Sequence, residues 1–234
     1  MDFGEIMSEL DALGTVQNRK TYQKHGVKGA QFGVSFANLD KMAKSLRKDK
    51  GVDRNALAGE LWASGNHDAR MLAIKIADPG RIGPGVIDVW AQDLDNYIVC
   101  DGLSGLVCQA PFAMEKMKAW VDEPGEWISA AGWNLLGCLA MNKPDLEDAF
   151  FSPYLTQIQS QIHTRPNRTR YAMNNAMIAI GIRNRALESL ALQTATQIGM
   201  VYVDHGETNC KTPFASDYIQ KTWDYQEKKA SQSV

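Results

Sequence analysis

The 234 residues are 44% hydrophobic and 22% charged, an ordinary globular balance with enough length to bury a sizeable core. Twenty-seven acids against twenty-five bases leave a net charge of -2, which excludes a molecule that grips nucleic acid by overall charge; any such contact must rest on local patches. No apolar run approaches the roughly 18 residues of a membrane helix, and the acidic start MDFGEIMSEL lacks an apolar signal region, so a soluble, cytoplasmic monomer is expected. Four cysteines, Cys100, Cys108, Cys138 and Cys210, sit in apolar surroundings without a CxxC pair, which predicts thiols in a reducing compartment.

Helical periodicity dominates. SFANLDKMAKSLRK places Phe36, Leu39, Met42, Ala43 and Leu46 on one face, with Ser35 as N-cap. NALAGELWAS repeats the pattern with Leu57, Leu61 and Trp62, and HDARMLAIKIAD is apolar all round, as an inner helix would be. GPGVIDVWAQDL opens with Pro84 in a first turn. Next comes DLDNYIVCDGL, in which Asp93 and Asp95 look like helix-start residues and Asp101 lies within the apolar run. PFAMEKMKAWV, EWISAAGWNLLGCLAM, DAFFSPYLTQIQSQI, RYAMNNAMIAIGIRN and ALESLALQTATQIG continue the series, parted by short breaks such as DEPG, NKPD and RPN. Alternation in MVYVDHGET allows a hairpin or a turn over 199–208, and a final capping helix is predicted over 212–228, with Thr212 as cap and Pro213 in its first turn.

Several segments share one plan: an outer helix, a polar break, then an inner helix rich in small residues. LWASGNHDARMLAIKIA, WAQDLDNYIVCDGLSGLVCQA, AWVDEPGEWISAAGWNLLGCLA and QIHTRPNRTRYAMNNAMIAIG all fit it. The period is about 25–40 residues, in the range of helix-pair solenoids of the HEAT type. The predicted fold is all-α, a curved superhelical stack of antiparallel helix pairs forming a single domain over 1–234.

The sequence holds no GxxxxGKS or GxxxxGKT, no GxGxxG after a strand, no HExxH and no GxSxG. Its four histidines are far apart, and Asp204, His205 and Cys210 supply too few ligand types for a zinc site, so no metal and no cofactor are expected. Basic residues cluster despite the balanced total. Arg19, Lys20, Lys24 and Lys28 surround Tyr22 and His25; Arg165, Arg168 and Arg170 lie at one helix start, and Arg183 and Arg185 at its other end. Arginines beside free helix N–H groups suit phosphate, whereas a solvated helix end is the plainer explanation. On a helix, Tyr97 and Asp101 share a face at i and i+4. A ring beside a carboxylate suits a cationic ligand, although Asp101 could equally bond a neighbouring helix start or an arginine such as Arg70.

Taken together, YQKHG at Tyr22–Gly26, FGVS at Phe32–Ser35, ELWASGNHDARMLA and DLDNYIVCDGL resemble the DNA alkylation repair (AlkD-like) family of HEAT-like repeat DNA glycosylases, over about Tyr22 to Asn184. The resemblance implies excision of cationic N3- or N7-alkylated purines. A carboxylate would oppose the positive charge that builds on the sugar and position a water. It maps the catalytic aspartate onto Asp101, an aromatic one turn earlier onto Tyr97, and a DNA-contacting tyrosine onto Tyr22. The chain also departs from the family: Tyr97 replaces tryptophan, Asn175 takes the place of a second tryptophan, and Ile178 and Ala130 take the places of two arginines. These replacements weaken a phosphate grip.

Two functions follow as expectations. One is an alkylpurine DNA glycosylase, with Asp101 and Tyr97 as catalytic residues and Tyr22, Lys28, Arg165, Arg168, Arg170, Arg183 and Arg185 against DNA. The alternative is a non-catalytic module that binds damaged, branched or otherwise structured DNA, with a protein-binding scaffold as a third reading.

Overall fold

The computed structural model describes residues 1–232. All thirteen regular elements among them are α-helices. They fall into two compact units, one of residues 1–113 with 205–209 and one of residues 114–204 with the chain from Cys210 onward.

The first unit holds α1 (Phe3–Leu13), α2 (Val16–Lys24), α3 (Phe36–Lys48), α4 (Arg54–Ala63), α5 (His67–Ile76), α6 (Pro84–Gln92) and α7 (Tyr97–Val107). Local chemistry sets most of the starts. Asp2 and Glu5 form a reciprocal capping box on α1. Ser35, Asp53, Asn66 and Asn96 each accept a hydrogen bond from the first turn of the helix that follows. Pro84 needs no N–H at the first position of α6.

Packing follows the repeat plan. α3 lies on α5 and α5 on α7, while α4 packs on α5 and α6 on α7. The odd-numbered helices α3, α5 and α7 thus meet next but one, and α4 and α6 each meet their successor, which is how stacked pairs cover one another's apolar faces. Leu39, Leu61, Leu72, Ile76, Ile87 and Leu103 are fully buried there, each contributing on the order of 2 kcal/mol by leaving water. The Trp62 and Trp90 rings stack in parallel, 4.4 Å between centroids.

The second unit holds α8 (Ala113–Trp120) from its second residue on, α9 (Glu126–Asn142), α10 (Asp148–Gln161), α11 (Asn167–Gly181), α12 (Arg185–Ile198) and α13 (Ala215–Ser231). α9 packs on α11, α11 on α13 and α10 on α12, again next but one, while α10 meets α11, α11 meets α12 and α12 meets α13 as successors. Small residues permit the closest approaches. A methyl group on Gly132 would stand 2.5 Å from the Val121 nitrogen and 2.6 Å from the Trp120 carbonyl carbon.

One sequence expectation is narrowed and one needs correction. Of the hairpin or turn allowed over 199–208 the turn is found: no strand is present among these residues, and the chain turns at Gly206 and Glu207. The last helix begins at Ala215 with Phe214 in the cap position, two residues beyond the predicted proline turn. Free thiols are found at Cys100, buried, and Cys210, exposed, and the expectation holds for these two. No helix among the described residues is long and apolar enough to cross a membrane.

Candidate nucleic-acid interface

In the first unit Tyr97 opens α7 and Asp101 follows one turn later, so the predicted pair does share a helical face. Asp101 is exposed and Tyr97 half-buried. The Tyr97 hydroxyl hydrogen-bonds Nδ1 of His25, the residue that ends α2. The two rings meet edge-on with centroids 5.9 Å apart. His25 therefore fixes the position of Tyr97, a role invisible in sequence because the partners are 72 residues apart.

The other acids of DLDNYIVCD have different fates. Asp93 ends α6, accepts a hydrogen bond from Trp62 Nε1 at 2.8 Å and pairs with Arg70 at 3.3 Å. Arg70 also lies over the Trp62 ring, 5.1 Å from its centroid. The arginine offered as a partner for Asp101 is thus committed to Asp93. Asp95 accepts from the Asn96 amide at 2.7 Å, and it is Asn96 that caps α7.

Beneath this face lies a buried polar cluster. Asp68 is fully buried and accepts three backbone N–H bonds, from Phe32 at 2.7 Å, Gly33 at 3.0 Å and Val34 at 2.8 Å. Such a set satisfies a buried carboxylate and ties the FGV segment to α5. Gly33 sits at φ +82°, where a side chain would strike Thr15 and Arg19. The Tyr22 hydroxyl donates to the Val34 carbonyl. Its ring packs edge-on against His67, 4.9 Å between centroids, and Phe36, 6.2 Å. Burial, helped by the nearby Asp68 charge, pushes the Tyr22 phenol up to about 12. Burial also pushes His67 down; Asp68 and Asp95 oppose this and Arg70 adds to it. Both ring nitrogens of His67 are buried without a hydrogen-bond partner among the described residues. Tyr22, expected to touch DNA, is only 5% exposed and holds the FGV segment from inside.

The predicted cations divide sharply. Lys28 is exposed in the loop after α2. In the second unit Arg165 donates to the carbonyls of Val121 at 3.2 Å and Glu123 at 2.7 Å, and to the Ser129 hydroxyl. Arg183 donates to the carbonyls of Ala140, Lys143, Pro144 and Leu146 and lies over Phe151. It closes the C-terminal end of α9, where carbonyls have no helical partner. Arg185 pairs with Glu188 and Glu227 and lies over Trp223. These three are occupied within the protein.

Arg168 lies over Tyr171, 4.8 Å from its centroid, while its backbone N–H donates to the Glu126 carboxylate at 2.7 Å. That carboxylate already occupies the start of α11. Arg170 is half-buried, its Nε without a hydrogen-bond partner among the described residues. Ala130 and Ile178 are buried, and Asn175 is half-buried.

A family model described as DNA alkylation repair enzyme matches residues 6–219. An uncharacterized protein of Listeria innocua is 27% identical over 94% of this chain and 96% of its own length. One of Listeria monocytogenes is 28% identical over the same shares. A solved structure, described as a new family of proteins related to the HEAT-like repeat DNA glycosylases with affinity for branched DNA structures, is 29% identical. It superposes with a TM-score of 0.86 over 97% of this chain and 95% of that one. The helix-on-helix plan of both units is therefore of the HEAT-like kind, and the chain belongs to the DNA alkylation repair enzyme family.

Proposed function

We propose that the protein binds DNA of branched or otherwise distorted shape and does not depend on base excision for this role. The likeness to the structure with affinity for branched DNA carries this reading. It is supported by the neutral, buried side chains Ala130 and Ile178 at positions where the family resemblance implies arginines. Lys28, Arg168 and Arg170 are the cations proposed to meet phosphates, with Tyr22 acting from within by holding the FGV segment. Fluorescence anisotropy with plain duplex, nicked duplex and a four-way junction, repeated across salt, tests it. The expected result is a preference for the junction and an affinity that falls as salt rises; binding that ignores both shape and salt contradicts it.

A second reading has its own support. Asp101 is exposed one turn beyond a tyrosine that His25 holds in place, an arrangement suited to opposing the charge of a breaking glycosidic bond at a cationic purine. Release of 7-methylguanine from duplex, abolished in Asp101→Asn, would establish glycosylase activity. No release from the native protein would remove it.

A further inference from the structure

The last helix carries a surface that the site above does not use. α13 buries Ala215 and Ile219 and sets Trp223 inward, where its Nε1 donates to the Gly181 carbonyl at 3.0 Å. Away from that side stand Tyr218, Lys221, Tyr225 and Lys228, at i, i+3, i+7 and i+10. At ~100° per residue they fall within an arc of about 80°. Tyr218 is 51% and Tyr225 67% exposed, and Phe214, four residues before Tyr218 at the cap position, is 39% exposed. Exposed aromatics usually occur singly. Three along one helix face, with Lys221 and Lys228 on either side of Tyr225, call for an occupant.

The charges point to its nature. Neither Lys221 nor Lys228 forms an ion pair among the described residues, and both are exposed. The acids of the same stretch are placed or engaged elsewhere. Glu227 pairs with Arg185, Asp224 accepts from Gln220 at 3.1 Å, and Asp217 lies in the first turn, where a helix favours an acid. The stripe is therefore aromatic and cationic with no acid among its members, in a protein whose net charge is -2. Rings spaced by lysines form a platform for unpaired bases: each ring offers a face to a base, and the ammonium groups follow the phosphates. A rise of ~1.5 Å per residue sets Phe214 and Tyr218 about 6 Å apart along the axis and Tyr218 and Tyr225 about 10 Å apart. Those intervals suit bases that are splayed rather than continuously stacked in a duplex.

We infer that the exposed face of α13 binds single-stranded DNA through Phe214, Tyr218 and Tyr225, with Lys221 and Lys228 on the phosphates. This rests on the reading of the protein as a DNA binder and extends it to the unpaired nucleotides that a branch point exposes.

The test measures a fluorescein-labelled single strand of about 16 nucleotides, a four-way junction and a plain duplex against three full-length proteins. These are the native chain, Tyr218→Ala with Tyr225→Ala, and Lys221→Gln with Lys228→Gln. All four positions are exposed, and circular dichroism checks that the variants keep their helices. Loss of stacking in the tyrosine pair should weaken single-strand binding about tenfold or more, with duplex binding changed less than about twofold. The lysine pair should weaken it too and flatten its salt dependence. Native junction binding with a single-strand affinity indifferent to both pairs overturns this inference alone. Failure of the native protein to bind any of the three DNAs overturns it together with the DNA-binding reading. Vesicles containing phosphatidylserine serve as a further arm. Binding there that the tyrosine pair abolishes, with no single-strand binding, assigns the face to a lipid surface and overturns the proposal.

Discussion

The start of α7 and the two ends of α11 began as equals: each showed charged residues at a helix boundary and each suited a ligand. They differ in how those charges are spent. Around α7, Asp93 pairs with the Arg70 side chain and Asp95 accepts from the Asn96 amide, beside a Tyr97 tethered by His25. Around α11, Arg165 and Arg183 are consumed by main-chain carbonyls, of Ala140 in the last turn of α9 and of residues in the turns that follow α8 and α9. An arginine's five fixed donors suit a cluster of orphan carbonyls as well as they suit phosphate. A basic cluster at a helix end is thus ambiguous until the neighbouring helix is known.

The sharpest way to break this contrast is to remove internal charges and watch stability. Asp68→Ala should cost most, about 3–5 kcal/mol, because three buried N–H groups lose their acceptor at once; urea unfolding measures it, and a cost under about 1 kcal/mol would deny the carboxylate its structural role. Arg183→Ala should follow at about 2–3 kcal/mol, since the carbonyls ending α9 lose their donors, with DNA affinity nearly unchanged. A large loss of affinity without loss of stability would return Arg183 to the DNA-contacting set.

The buried pair beneath α7 predicts a pH response. His67 is held below its ordinary value of 6.5. As pH falls below 6.5 the unfolded chain takes up a proton that the folded chain refuses, so stability present above that value is lost. Tyr22 acts at the other limit. Its folded value is raised from 10.0 to about 12, so stability complete below pH 10 declines as pH rises through that range. Unfolding temperature against pH should show both limbs, and His67→Gln should flatten the acid one. An acid limb unchanged in that variant would assign the loss to other groups. The smallest effect on stability belongs to Lys28→Gln, at an exposed position. It should leave unfolding within about 0.5 kcal/mol while weakening DNA binding and reducing the salt slope by about 1.

Much of the fold was legible because helices announce themselves locally. Ser35 caps α3 as its sequence predicts, and Leu39, Met42, Ala43 and Leu46 are the buried face of that helix. α1 has no counterpart in the predicted series although Asp2 and Glu5 form its capping box, a local signal of a helix start. Thr212 and Pro213 imitated a helix start that lies two residues on, and Asp93 imitated a cap while ending the helix before.

The site was less legible. The shared face of Tyr97 and Asp101 follows from spacing alone. What fixes the region does not: His25 reaches Tyr97 across 72 residues and Asp68 reaches the FGV segment across about 35. Such bonds depend on which helices stack together, and residue type carries no record of it. Tyr22 shows the cost of carrying over a role without that knowledge, since a tyrosine assigned to DNA lies 5% exposed between His67 and Phe36.

The central claim, that the protein reads DNA shape, is tested most directly by competition. A labelled four-way junction is bound to the native protein at fixed salt, then challenged with unlabelled junction or unlabelled duplex of the same sequence and total length. The account predicts that the junction displaces the label at a concentration at least about tenfold lower than the duplex, a gap of about 1.4 kcal/mol. Equal displacement by the two would contradict it.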